Sequence, residues 1–93
     1  MTLTRKPGAN KSHKVEFYGL STCGWCRRAK EFLDQNGIEY DYIYVDETQG
    51  DDRAAVTARV RELNPRGSYP TIQVDGRVCV GFDEEELREF LGL

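Results

Sequence analysis

Polar and apolar side chains alternate through Lys14-Val15-Glu16-Phe17-Tyr18 until Gly19 interrupts the run, which predicts a first strand. After a short loop at 20–22, Cys26, Ala29 and Leu33 recur at helical spacing, flanked by Trp25 and Phe32. A helix over 24–36 follows, closed by Asn36-Gly37, two residues that tolerate the left-handed conformation ending helices. Residues 38–45 are rich in Tyr, Ile and Val and read as a second strand, parallel to the first because a helix connects them. Val56, Val60 and Leu63 then stripe one face of a second helix over 51–63, stopped by Asn64-Pro65-Arg66-Gly67. Strands over 71–74 and 77–80 flank Asp75-Gly76, a pair suited to a two-residue hairpin turn. Asp83, three residues before Glu86, opens a last helix with Leu87, Phe90 and Leu91 as its buried stripe. The order is β-α-β-α-β-β-α. It predicts an α/β fold with a four-stranded mixed sheet flanked by helices.

Composition narrows the class. The 93 residues hold one domain, with 39% apolar and 31% charged side chains. No apolar run approaches the ~18 residues that cross a bilayer. Residues 1–14 carry Arg5, Lys6, Lys11 and Lys14 and no acid, whereas the remainder carries a net charge of −7. An acidic body repels phosphate backbones, which argues against nucleic-acid binding. Residues 1–13, basic and broken by Pro7 and Gly8, read as a flexible solvated tail, leaving 14–93 as the folded domain. No secretory signal is legible, so the cytoplasm is the expected location and a monomer the expected state.

Three cysteines are an odd count, unlike a structural disulfide framework. Two form Cys23-Gly24-Trp25-Cys26 at the start of the first predicted helix, where positions i and i+3 share a face. Cys23 falls where unpaired N–H groups and the helix dipole favour an anion, hence a nucleophilic thiolate. Cys26, one turn deeper, is placed to resolve a mixed disulfide. A zinc site would need two more ligands, and only Cys79 and His13 remain, so no metal site is expected. Cys79 reads as a small core residue of a strand, with a regulatory thiol as the alternative. Ser68-Tyr69-Pro70-Thr71 is a second signal: either a rigid trans turn, or a cis Pro70 that frees Tyr69 backbone groups to pair with a substrate.

The run from Phe17 to Lys30, Phe-Tyr-Gly-Leu-Ser-Thr-Cys-Gly-Trp-Cys-Arg-Arg-Ala-Lys, resembles the active-site segment of glutaredoxins of the thioredoxin superfamily. The similarity continues through Tyr69-Pro70-Thr71 and Val74-Asp75-Gly76 to Val80-Gly81-Phe82-Asp83, covering residues 14–92. The resemblance implies a thioredoxin-like fold, a thiol–disulfide oxidoreductase with Cys23 as nucleophile, and a cis Pro70. It implies protein disulfides or glutathione-mixed disulfides as substrates, with glutathione a co-substrate rather than a permanently bound cofactor. Thr22 and Trp25 would flank the substrate, Tyr69 would pair with its backbone, and Gly81, Phe82 and Asp83 would hold its γ-glutamyl end. Three positions depart from the family pattern. Leu20 stands where a cation commonly binds a glutathione carboxylate, a role left to Arg66; Val80 replaces the first of two glycines; Gly24 replaces a proline. Gly81-Phe82 also resembles the redoxins serving ribonucleotide reductase, so the donor is either glutathione or a thioredoxin-reductase-type enzyme. Some family members lacking that proline bridge a 2Fe–2S cluster, which makes an iron–sulfur carrier the alternative function.

Overall fold

In the computed structural model, which describes all residues 1–93, the chain runs β1 (Thr4–Lys6), β2 (Val15–Gly19), α1 (Gly24–Gln35), β3 (Tyr40–Tyr44), α2 (Gly50–Leu63), β4 (Thr71–Val74), β5 (Arg77–Val80) and α3 (Glu84–Leu91). A single 3-10 turn, Val45–Glu47, joins β3 to α2. The strands form one mixed sheet in the order β1-β3-β2-β4-β5. β2 and β3 are parallel, and every other neighbouring pair is antiparallel.

The alternation read in β2 sorts the two faces. Val15 and Phe17 join Ala29, Phe32 and Leu33 of α1 and Leu87 and Leu91 of α3 in the larger core. Tyr18 points the other way, to Val56 and Val60 of α2. Helices α1 and α3 therefore cover one face and α2 the other, so the central strand is buried on both sides. Asp75 and Gly76 both take positive φ, 51° and 87°, as a two-residue hairpin turn with matched twist requires. Asp83 caps α3 by accepting the Glu86 N–H at 3.0 Å.

The sheet has five strands rather than four because the segment expected to be a flexible tail is docked. Thr4, Arg5 and Lys6 pair with Tyr42, Asp41 and Tyr40. The charge asymmetry supplies the reason: the basic segment lies along acidic partners, with Arg5 Nε on Asp41 at 3.0 Å and Lys6 Nζ on Asp34 at 3.3 Å. Gly8 lets the backbones pass closely, since a Cβ there would lie 2.6 Å from Glu39 N and Gly37 O. Farther along, His13 Nδ1 meets Asp75 at 2.6 Å and its Nε2 meets the Leu91 carbonyl at 3.0 Å. The segment thus ties β3, the hairpin turn and the end of α3 together.

Candidate active site

The end of β2 is shaped to bring sulfur close. A Cβ on Gly19 would press on the Phe17 ring at 2.6 Å and lie 3.2 Å from Cys26 Sγ. Beyond it, residues 20–23 form a turn closed by the Cys23 N–H donating to the Leu20 carbonyl at 3.2 Å. Ser21 anchors that turn to Asp46, its N–H donating to Oδ1 at 2.9 Å and its hydroxyl to Oδ2. These bonds hold the Asp46 carboxyl below the usual carboxylate range.

Cys23 is the N-cap of α1, with φ −90° and ψ 121°, and its Sγ accepts the Cys26 N–H at 3.2 Å. The sulfur thus fills the place a serine or aspartate oxygen takes at other caps, against the positive end of a twelve-residue helix. No acidic side chain lies in the first turn of α1. Cys23 is half-exposed, whereas Cys26 is 1% exposed and packed in the core. Burial, then the neighbouring Cys23, push the Cys26 thiol up to about 12, while the Leu20 N–H, 3.5 Å from Cys26 Sγ, works in the opposite sense. One sulfur is open at a helix end; its partner is sheltered one turn behind.

An open groove of about 570 Å³ is lined by Trp25, Tyr69, Val80, Gly81, Phe82, Asp83 and Glu84. Five of the expected substrate contacts therefore converge: Trp25, Tyr69, Gly81, Phe82 and Asp83. The Tyr69–Pro70 bond is cis, and the buried Pro70 accepts the Gly81 N–H at 2.8 Å, stapling the loop before β4 to the end of β5. Neither the N–H nor the carbonyl of Tyr69 is used within the chain, so both are free for an extended partner. Buried Asn64 fixes this loop, donating to Ser68 Oγ at 3.0 Å and Thr71 Oγ1 at 3.2 Å. Phe82 packs on Phe32 at 5.8 Å, tying the groove to α1.

Two expected contacts fall outside the groove. Thr22 is exposed beside Cys23, and Arg66 is exposed on the turn after α2, where its N–H binds Asn64 Oδ1 at 3.2 Å. Arg61 also lies outside the groove's lining, but it is the cation whose field reaches Tyr69: burial pushes the Tyr69 phenol up, and Arg61 acts against that rise. Its side chain lies 3.6 Å from where a Gly67 Cβ would stand. Sequence spacing concealed Arg61, because it follows the core residue Val60 on a helix whose face cannot be assigned to the groove without the fold. A smaller cavity of about 220 Å³ borders Cys23 on Leu20, Ser21, Arg27, Lys30, Glu31, Asp34 and Tyr44.

Cys79 is fully buried in the core, its Sγ donating to the Gly81 carbonyl at 3.4 Å, and burial pushes its thiol up to about 12. His13 pairs with Asp75, so neither residue joins the Cys23–Cys26 pair. No three His, Cys, Asp or Glu side chains converge as metal ligands.

The Glutaredoxin family model matches residues 15–79, from the start of β2 through Cys79 of β5. The chain belongs to the glutaredoxin family. It is 30% identical over 77 residues, 83% of this chain and 96% of the relative, to an uncharacterised glutaredoxin-like 8.6 kDa protein in the rubredoxin operon of Clostridium pasteurianum. Its fold is similar to the crystal structure of the glutaredoxin from Methanosarcina mazei Go1, with a TM-score of 0.88 and 39% identity over 100% of this chain and 90% of that one. It is also similar to Methanosarcina acetivorans methanoredoxin, with a TM-score of 0.82 and 37% identity over 86% and 85% of the two chains. The glutaredoxin fold, a Cys-x-x-Cys pair at the α1 N-terminus and the thioredoxin-like arrangement of helices are thus features of this chain.

Proposed function

We propose that this glutaredoxin is a dithiol oxidoreductase that reduces protein disulfides or glutathione-mixed disulfides in the cytoplasm, acting as a monomer. The observation that carries the reading is the split environment of the pair: Cys23 caps α1 in the open, and Cys26 is buried one turn behind it. The Cys23 thiolate attacks one sulfur of the substrate disulfide, that S–S bond breaks, and the departing thiolate takes up a proton. Cys26 then gives its proton to solvent and attacks Cys23 Sγ. The substrate leaves as a thiol, and the two electrons it gained leave a Cys23–Cys26 disulfide on the chain. Glutathione or a thioredoxin-reductase-type enzyme returns those electrons.

The groove supports an extended substrate seated beside this chemistry. Its backbone pairs with the free N–H and carbonyl of Tyr69, Trp25 covers it, and Gly81, Phe82 and Asp83 hold its far end. Arg61, rather than Arg66, supplies the cation for a substrate carboxylate, since Leu20 has none to give. The split pair favours dithiol chemistry over the iron–sulfur carrier, which would bridge a cluster through Cys23 alone and leave the buried Cys26 behind it without a role.

Reduction of a glutathionylated peptide tests the reading. Cys23→Ser is expected to abolish turnover, and Cys26→Ser to keep monothiol deglutathionylation while losing reduction of intramolecular protein disulfides. An active Cys23→Ser variant overturns it. Offering the oxidised chain reduced glutathione in one arm and a thioredoxin reductase with its reductant in the other identifies the donor as the one restoring two free thiols.

A further inference from the structure

The parallel register sets Gly19 of β2 opposite Tyr44 of β3, and the two chains meet again two residues later. There Ser21 spends both its N–H and its hydroxyl on the two oxygens of Asp46. Asp46 is itself held by the 3-10 turn, and its carbonyl accepts from Arg53 Nη2 at 3.0 Å. On the near side of the same turn, the Leu20 N–H is the donor placed 3.5 Å from Cys26 Sγ, and the Leu20 carbonyl takes the Cys23 N–H. One carboxylate therefore fixes a four-residue turn that touches both cysteines, yet touches neither sulfur itself.

We propose that Asp46 is a positioning residue for the resolving step: by clamping Ser21 it holds the Leu20 N–H on Cys26 Sγ, where it stabilises the thiolate that attacks the mixed disulfide. The step needs this help because Cys26 is enclosed by the core, and a buried anion is costly without a hydrogen-bond donor. The direct effect of the Asp46 charge would run the other way. A nearby negative charge opposes thiolate formation, so simple loss of the carboxylate would speed resolution if charge were all that mattered.

This inference rests on the dithiol reading above, and a two-step chromophore assay separates the two. A disulfide carrying 5-thio-2-nitrobenzoate reports Cys23 attack in a Cys26→Ser background and, in the chain with both cysteines, the release of the second chromophore by Cys26. Asp46→Ala is expected to slow that second release about tenfold, the order of one hydrogen bond to a charged group, and to move its pH midpoint upward. The first step should change less than twofold. Asp46→Asn keeps an acceptor for the Ser21 N–H and should recover most of the loss. Ser21→Ala in the Asp46→Ala background should add little, because both changes cut the same clamp. An unchanged or faster release in Asp46→Ala, equal slowing of both steps, or an Asn variant as slow as Ala overturns the proposal. Failure of Cys23 to form the adduct in the unaltered chain would overturn the dithiol reading instead.

Discussion

Three cysteines share this chain, and burial, with the N-cap position of Cys23, divides their chemistry. Cys26 and Cys79 are both pushed up to about 12 by desolvation, so at neutral pH each is a thiol locked in the core. Brief iodoacetamide treatment of the reduced protein at pH 7.5 is expected to label Cys23, with Cys26 and Cys79 reacting only after denaturation; peptide mass mapping checks this. Early labelling of Cys79 would contradict its packing. The same shifts set a direction for stability. A thiol whose folded value lies above its unfolded one stabilises the fold fully below the unfolded value, about 9, and loses that contribution as pH rises toward about 12. The reduced protein should lose stability progressively above pH 9. In Cys79→Ala the overall stability falls, by about 1 kcal/mol for a small core cavity, but the alkaline decline becomes shallower. Denaturant melts at pH 8 and pH 10 give both numbers.

Among the elements, β1 is the one that local pattern could not reveal. It is three exposed residues with no apolar alternation, and its pairing exists only because β3 presents Tyr40, Asp41 and Tyr42 in register. A strand made by its partner carries no signature of its own. Deleting residues 1–7 is expected to lower Tm by a few degrees, leave the rate of Cys23 attack unchanged, and favour self-association through the uncovered β3 edge. Thermal melts and light scattering test it; a lower Cys23 rate would mean that β1 supports the site. The remaining elements were legible because each carries a local mechanism: the Asp75-Gly76 turn, the Asp83 cap, the alternation of Val15 and Phe17, the stripe of Val56 and Val60. Asn64 shows the limit. In sequence it is one more turn residue before Pro65, yet in the fold it is the buried hub joining Ser68 and Thr71 behind Pro70. Asn64→Leu should therefore destabilise by about 1–3 kcal/mol, from acceptors left unpaired, and should slow substrate reduction by loosening the Tyr69 loop.

At the scale of the whole molecule, the site is a product of topology rather than of any one segment. Cys23 comes from the end of the central strand, Tyr69 from the loop leading into its antiparallel neighbour, and Gly81 to Glu84 from the join of the edge strand to α3. The cysteine pair was readable because both residues lie within one helical turn. Arg61, the cation proposed for a substrate carboxylate, was not, because its place depends on how α2, on the opposite face of the sheet, ends beside Tyr69. Arg66 is nearer to Pro70 in sequence, but the turn after α2 carries it outward, while Arg61, in the last turn of α2, is left beside the Tyr69 loop. That difference gives a direct comparison. With a glutathionylated peptide as substrate, Arg61→Ala is expected to raise KM several-fold with little change in kcat, the pattern of lost binding that the ground and transition states share. Arg66→Ala should stay within twofold of the unaltered chain on both parameters. With a disulfide that carries no carboxylate, the two variants should be indistinguishable. An effect of Arg61→Ala that persists on the uncharged substrate would assign it to the fold of the Tyr69 loop rather than to recognition of charge.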